Sequence, residues 1–186
     1  MRIISGKFKG RVLASFQADH VRPTMDRVKE TLFNKWMHDV EGARVLDLFS
    51  GTGSLGLEAL SRGAQHVQFV EKNLKSIQII KKNVDLLKIE RTEFSISQKD
   101  VLTYLEKYNE GASFNLILID PPFTEKMAHV VMEALDKSKC FNEETLIAIE
   151  SLKQERIDPE YQQLFRYDFK DYGDKILSFY RKKVQS

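Results

Sequence analysis

The chain has 186 residues, 42% of them apolar and 30% charged, with a net charge of +2. That balance predicts one soluble globular domain with its own core, and no apolar run approaches the ~20 residues that span a bilayer. One cysteine, Cys140, excludes an internal disulfide and points to the reducing cytoplasm; His20, His38, His66 and His129 lack ligand spacing, so no metal is expected.

Charge is unevenly spread. Residues 1–35 hold eight Lys/Arg against three acids, and the rest holds 21 against 24. A basic N-terminal fifth beside a near-neutral remainder suggests a polyanionic partner. No apolar stretch of secretory type follows the first basic residues.

Residues 2–13 read as a glycine-flanked β-hairpin. Lys7, Lys9 and Arg11 surround Phe8, a grouping that suits RNA: charges meet phosphates and a ring stacks on a base. The alternative for Phe8 is packing the hairpin onto the domain. After a loop over 14–23, a helix is expected from Met25 with Thr24 as N-cap. Val28, Leu32, Phe33, Trp36 and Val40 form its apolar face. Arg22, Arg27 and Lys29 cluster at its start, where positive charge opposes the helix dipole and hints at phosphate binding.

From Ala43 strands and helices alternate. Strands are expected over 43–48, 66–71, 92–96, 114–119 and 145–150, and helices over 54–62, 74–88, 100–108 and 125–136. The run 114–119 reads as a central parallel strand buried on both faces. Repeated βα units predict an α/β fold with a doubly wound, Rossmann-like sheet. The tail breaks the pattern: strand-like 164–169, a turn at 172–174 and strand-like 175–180 suggest a terminal hairpin and an antiparallel strand.

The first βα junction, Val45 to Gly56, carries Gly51, Gly53 and Gly56 in the G-x-G-x-x-G spacing, with Glu71 20 residues past the first glycine. This predicts a nucleoside-bearing cofactor over a glycine turn and helix N-terminus. Ligands in such sheets bind beyond the carboxyl ends of the strands, where Asp47, Glu71 and Asp120 fall; Asp100 follows the third strand. Glu71 suits two ribose hydroxyls. Asp100, with Val101, suits an adenine amine or simply caps a helix. Asp47 would repel a dinucleotide pyrophosphate but suits the ammonium of S-adenosylmethionine.

Asp120-Pro121-Pro122-Phe123 favours the methyl donor. Paired prolines make a stiff corner. The Asp120 carboxylate and a prolyl carbonyl can accept from an exocyclic base amine and localise its lone pair, while Phe123 stacks on a flipped-out base. A strand-ending turn is the structural alternative.

With both motifs in place, the sequence resembles the RsmD family of class I S-adenosylmethionine-dependent methyltransferases. The resemblance is carried by residues 2–11, by 22–24 and 26–34, by 47–59, by Val70-Glu71, and by Asp120 to Phe123. It implies a seven-stranded sheet with a reversed last strand. It implies methylation of a guanine amine in small-subunit (16S) ribosomal RNA, free or in an assembling or complete 30S subunit. On this reading residues 1–186 form one methyltransferase domain: 1–40 are a basic hairpin and helix, and 41–186 the catalytic core. The cofactor set is Asp47, Phe49, Ser50, Gly51, Thr52, Gly53, Gly56, Glu71, Lys72, Asp100 and Val101. The catalytic set is Asp120, Pro121, Pro122 and Phe123. The RNA-facing set is Lys7, Phe8, Lys9, Arg11, Arg22, Thr24 and Arg27. A cytoplasmic monomer is expected; the resemblance assigns no role to Glu150 or the tail and leaves both open. The competing functions are a DNA adenine methyltransferase, a nicotinamide-dependent oxidoreductase and a non-catalytic RNA-binding assembly factor.

Overall fold

In the computed structural model, which describes residues 1–16, 23–109 and 111–184, helices and strands alternate as the sequence pattern predicts. Helix α1 (Pro23–Lys35) precedes β1 (Arg44–Leu48), α2 (Ser54–Ser61), β2 (His66–Val70) and α3 (Leu74–Leu86). Then come β3 (Phe94–Ser97), α4 (Val101–Glu106), β4 (Leu116–Ile119), a 3-10 turn (Phe123–Glu125) and α5 (Ala128–Lys137). Strands β5 (Leu146–Leu152), β6 (Leu164–Asp171) and β7 (Lys175–Lys182) close the chain.

One seven-stranded sheet results, in the order β3-β2-β1-β4-β5-β7-β6. The first five are parallel; β7 runs antiparallel between β5 and β6. This is the doubly wound α/β sheet with a reversed last strand. Every residue of β4 is buried, because alternate side chains enter two cores. Leu116 and Leu118 join α1, α2 and α3 on one face. Ile117 and Ile119 join α4 and α5 on the other. Cys140 is buried in the second core, and that burial pushes its thiol up to about 11, so it packs rather than reacts.

Val28, Leu32 and Phe33 of α1 are buried as predicted, and so are Trp36 and Val40, which lie past the end of the helix at Lys35. Trp36 meets Phe179 edge-on at 5.7 Å and donates Nε1–H to Tyr167 Oη at 3.2 Å. The helix begins at Pro23 rather than Met25, so Thr24 lies inside its first turn and does not cap it. Proline is pre-set for that first turn and has no N–H to leave unpaired there. Arg22 lies outside the described residues.

The N-terminal hairpin is a single antiparallel bridge, Arg2 with Val12, rather than a ladder. Ile3 still donates to the Arg11 carbonyl and accepts from Gly10 N–H, and past it the amides turn to α2 instead. Ile4 N–H and Ser5 N–H donate to the Glu58 carboxylate on α2 at 2.8 and 3.0 Å. Lys7 N–H donates to the Ser61 carbonyl at 2.7 Å. A Cβ on Gly6 would lie 1.8 Å from that carbonyl oxygen, so only glycine permits this docking.

Helix α5 starts at Ala128, three residues later than the pattern predicts, because Lys126 takes a left-handed φ of 48° and ends the 3-10 turn. Asp100 stands outside α4 as its N-cap, its carboxylate accepting from Leu102 N–H and Thr103 N–H.

Candidate active site

The two key motifs lie side by side at one end of the sheet. Strands β1 and β4 are neighbours with Leu48 opposite Ile119, so the glycine turn and the diproline corner leave the sheet side by side. Asp120 N–H points at the Leu48 carbonyl at 3.5 Å.

At the glycine turn, Ser50 ties two strand ends together. Its hydroxyl donates to the Asp47 carbonyl at 2.7 Å and accepts from Val70 N–H at 3.0 Å. The turn is left-handed at Phe49, where φ is 58°, and again at Gly51 and Gly53. A positive φ at a phenylalanine is a strained conformation, of the kind that collects at binding sites. Thr52 Oγ1 donates to Met1 Sδ at 3.2 Å, and its carbonyl accepts from Asn83 at 3.0 Å. Asn83 also holds the Ala14 amide at 2.7 Å. The N-terminal segment therefore lies against the turn.

Asp47 is 1% exposed and accepts from Gly56 N–H at 2.9 Å. Burial pushes its carboxyl up to about 8; the Gly56 amide opposes this, and Asp120 and Glu71 add to it. Glu71 divides its oxygens, one accepting from Gly51 N–H at 2.9 Å and the other from Asn73 N–H at 2.8 Å. Each oxygen keeps a lone pair. Among the described residues, none of Asp47, Glu71 and Asp100 has a Lys, Arg or His partner in an ion pair. Val101 is buried under the Asp100 cap, and Lys72 is exposed, 3.8 Å from Glu125.

At the corner, Pro121 is buried while Asp120, Pro122 and Phe123 keep some open surface. The Pro122 carbonyl accepts from Glu125 N–H at 3.1 Å; among the described residues no amide pairs with that of Pro121. Burial pushes the Asp120 carboxyl up to about 7, the Glu150 charge adds to this and Lys175 opposes it. Lys175 Nζ lies 4.1 Å from the Phe123 ring centroid and 2.6 Å from Glu150 Oε1.

This architecture belongs to a known group. A family model described as "Conserved hypothetical protein 95" matches residues 1–181. Ribosomal RNA small subunit methyltransferase D of Haemophilus influenzae is 35% identical over 167 residues, 89% of this chain and 86% of that protein. The chain belongs to the RsmD family. A second relative, YlbH of Bacillus subtilis, is 33% identical over 184 residues, covering 98% of this chain and all of its own. Among solved structures, the RsmD-family chain superposes on yhhF of Escherichia coli with a TM-score of 0.85 and 28% identity, covering 100% of this chain and 99% of that one.

The RNA-facing candidates spread along the N-terminal segment and α1. Lys9, Arg11 and Arg27 are exposed. Lys7 pairs with Glu93 at 2.7 Å and stands 5.0 Å over the Phe8 ring. Phe8 is half-buried against the core of this RsmD-family fold. Lys29 is not a phosphate ligand: it is 4% exposed and donates to the Arg2 carbonyl at 2.7 Å, with Glu58 at 3.4 Å.

Sequence reasoning missed Glu58. It is fully buried, yet satisfied by two amides, by Lys29 and by Arg62 Nε at 2.8 Å. The available signal was a lone acid amid the apolar Leu57, Ala59 and Leu60. It also passed over Glu150 and Lys175, which the structure places at the corner.

Proposed function

We propose that the chain transfers a methyl group from S-adenosylmethionine to the exocyclic amine of a guanine in 16S ribosomal RNA. One observation carries this reading: buried or half-buried acids gather at this end of the sheet and, among the described residues, no cationic side chain pairs with Asp47, Glu71 or Asp100. Such a set suits a ligand that brings its own positive charge, hydroxyls and an amine, and no phosphate.

The donor atoms fit that ligand. Asp47 would take the ammonium and Glu71 the ribose hydroxyls. Asp100 and Val101 would take the adenine edge. Phe49, Ser50, Gly51, Thr52, Gly53 and Gly56 would form the floor, with Lys72 at the rim. When bound, the sulfonium supplies an electrophilic methyl carbon. The protein's part is to hold the nucleophile. The Asp120 carboxylate and the Pro121 carbonyl accept the two amine hydrogens and localise the nitrogen lone pair, while Phe123 carries the base face. Proximity and alignment supply most of the acceleration. As the nitrogen takes the methyl group it loses a proton, and the Asp120 carboxylate is the adjacent acceptor.

On this reading residues 1–186 act as one unit, supported by Ile3, Leu13 and Trp36 sharing a core with Val45. The N-terminal basic residues would hold RNA of the small subunit or its assembly intermediate, and the enzyme would work as a cytoplasmic monomer. No helix among the described residues is long and apolar enough to cross a membrane.

The test is transfer of labelled methyl to purified 16S RNA and small subunits, with the modified base mapped. Label on one guanine amine, lost in Asp120→Ala, is expected. Label in duplex DNA but not ribosomal RNA reverses the target, and binding of a nicotinamide dinucleotide instead of S-adenosylmethionine ends the reading.

A further inference from the structure

The glycine turn and the diproline corner supply what the family motifs describe; the C-terminal hairpin adds something those motifs do not contain. Ile119 lies opposite Ile149 in the β4–β5 pairing, so Asp120 and Glu150 are the next residues of two adjacent strands. On the far side of β5, Leu152 pairs with Lys175, the first residue of β7. From there Lys175 reaches back. Its ammonium sits 2.6 Å from Glu150 Oε1 and 4.1 Å from the centre of the Phe123 ring. Both members of the pair are largely shielded, with side chains 15% and 20% exposed.

A second carboxylate beside Asp120 is a hazard. Two adjacent acids share a proton, and a protonated Asp120 loses acceptor strength toward an amine hydrogen. A free Glu150 would also compete for the same hydrogens. Lys175 meets both problems by holding Glu150 and adding positive charge near Asp120. Its ammonium also covers one face of Phe123, leaving the other face for a base.

We propose that Glu150 and Lys175 form a positioning pair for the reaction at the diproline corner: Lys175 offsets the Glu150 charge beside Asp120 and fixes which face of Phe123 receives the base. This rests on the methyltransferase reading above. The charged groups set around Asp120 are Glu150 on β5, Lys175 on β7 and Asp47 on β1; Glu71 acts on Asp47, and the Lys72–Glu125 pair is exposed.

The test follows the Asp120 carboxyl by carbon NMR titration of the whole protein, assigned with Asp120→Asn, beside the pH profile of methyl transfer to 16S RNA. Lys175→Met should move the Asp120 titration and the acid limb of kcat/KM upward by roughly one pH unit. Glu150→Gln should move both downward, the double variant should return toward wild type, and Lys175→Arg should restore the wild-type limb. An Asp120 titration unchanged in both single variants overturns the proposal and leaves the pair purely structural. If Lys175→Met does not fold, the Glu150→Gln direction decides alone. Wild-type protein that transfers no methyl group to RNA, yet shows these opposed shifts, refutes the substrate assignment and upholds the pair's electrostatic role.

Discussion

Gly56 donates its N–H to the Asp47 carboxylate at 2.9 Å, and a Cβ there would lie 2.4 Å from Phe69 Cε1 and 2.9 Å from Asp47 Oδ2. The missing side chain is what lets α2 sit close enough to the sheet for its first turn to hold the acid. Gly56→Ala must push apart Phe69, Val67 and Asp47 together. The expected cost is about 1–3 kcal/mol in denaturant unfolding, with weaker binding of S-adenosylmethionine in calorimetry. An unchanged affinity would show that the Asp47 position is irrelevant to the ligand.

Asp47 should set a pH dependence of stability opposite to that of a surface ion pair. Its folded carboxyl titrates near 8, chiefly through burial, while the unfolded one titrates near 4. The folded state therefore binds the proton more tightly. The contribution is complete below about pH 4 and is lost as pH rises through about 8. Asp47→Asn cannot ionise and can still accept from Gly56 through its amide oxygen. Relative to wild type, the variant should gain stability from pH 5 to pH 8.5 while binding S-adenosylmethionine less well. A stability gap that stays constant over that range would contradict the assignment.

Glu58 is the joint between the N-terminal segment and α2. It gathers Ile4 N–H, Ser5 N–H, Arg62 and Lys29 around one carboxylate without exposed surface. Glu58→Ala leaves the buried Lys29 ammonium, whose pKa burial already lowers, with only the neutral Arg2 carbonyl and Ser54 hydroxyl as hydrogen-bond partners, and frees two amides. Removing one partner of such a buried pair costs about 3–5 kcal/mol. Limited proteolysis should then cut within residues 1–16 faster than in the native protein. Lys29→Met should cost less in the same unfolding assay, because Arg62 and the amides still serve Glu58.

What the sequence made readable was periodic or local. The apolar run before Asp120 announced a strand buried on both faces, and the glycine spacing marked the turn after β1 that Glu71 reaches. The strand-like tail pointed to a reversed last strand. What stayed hidden depends on partners far along the chain. Glu58 reads as an ordinary helical acid until Ile4 and Ser5 arrive from 54 and 53 residues away. Past Ile3 the hairpin amides turn to that carboxylate, which a cross-strand rule cannot see on another helix. Lys29 looked like a surface cation because helical periodicity alone left it off the apolar stripe. Glu150 and Lys175 meet only through the β5–β7 pairing, 25 residues apart. The first residue of α1 turned on Pro23, whose fixed φ allowed the helix to start before the threonine expected to cap it.

The last prediction separates the RNA-facing charges from the cofactor crevice. The N-terminal segment touches the glycine turn through Met1 and, by way of Asn83, through the Ala14 backbone. None of those links uses Lys9 or Arg11, which are exposed. Lys9→Ala with Arg11→Ala should therefore leave S-adenosylmethionine affinity unchanged while weakening RNA binding. The plot of log affinity against log salt should flatten by about 0.7 for each phosphate of single-stranded RNA that is no longer neutralised. Lys7→Ala should do less to the slope, because Lys7 already spends its charge on Glu93 at 2.7 Å. RNA titrations at several salt concentrations, run beside calorimetry with the cofactor, read both effects. An equal affinity loss at every salt concentration would mean that these cations shape the segment rather than meet phosphates, and a fall in cofactor affinity would place them in the crevice's support instead.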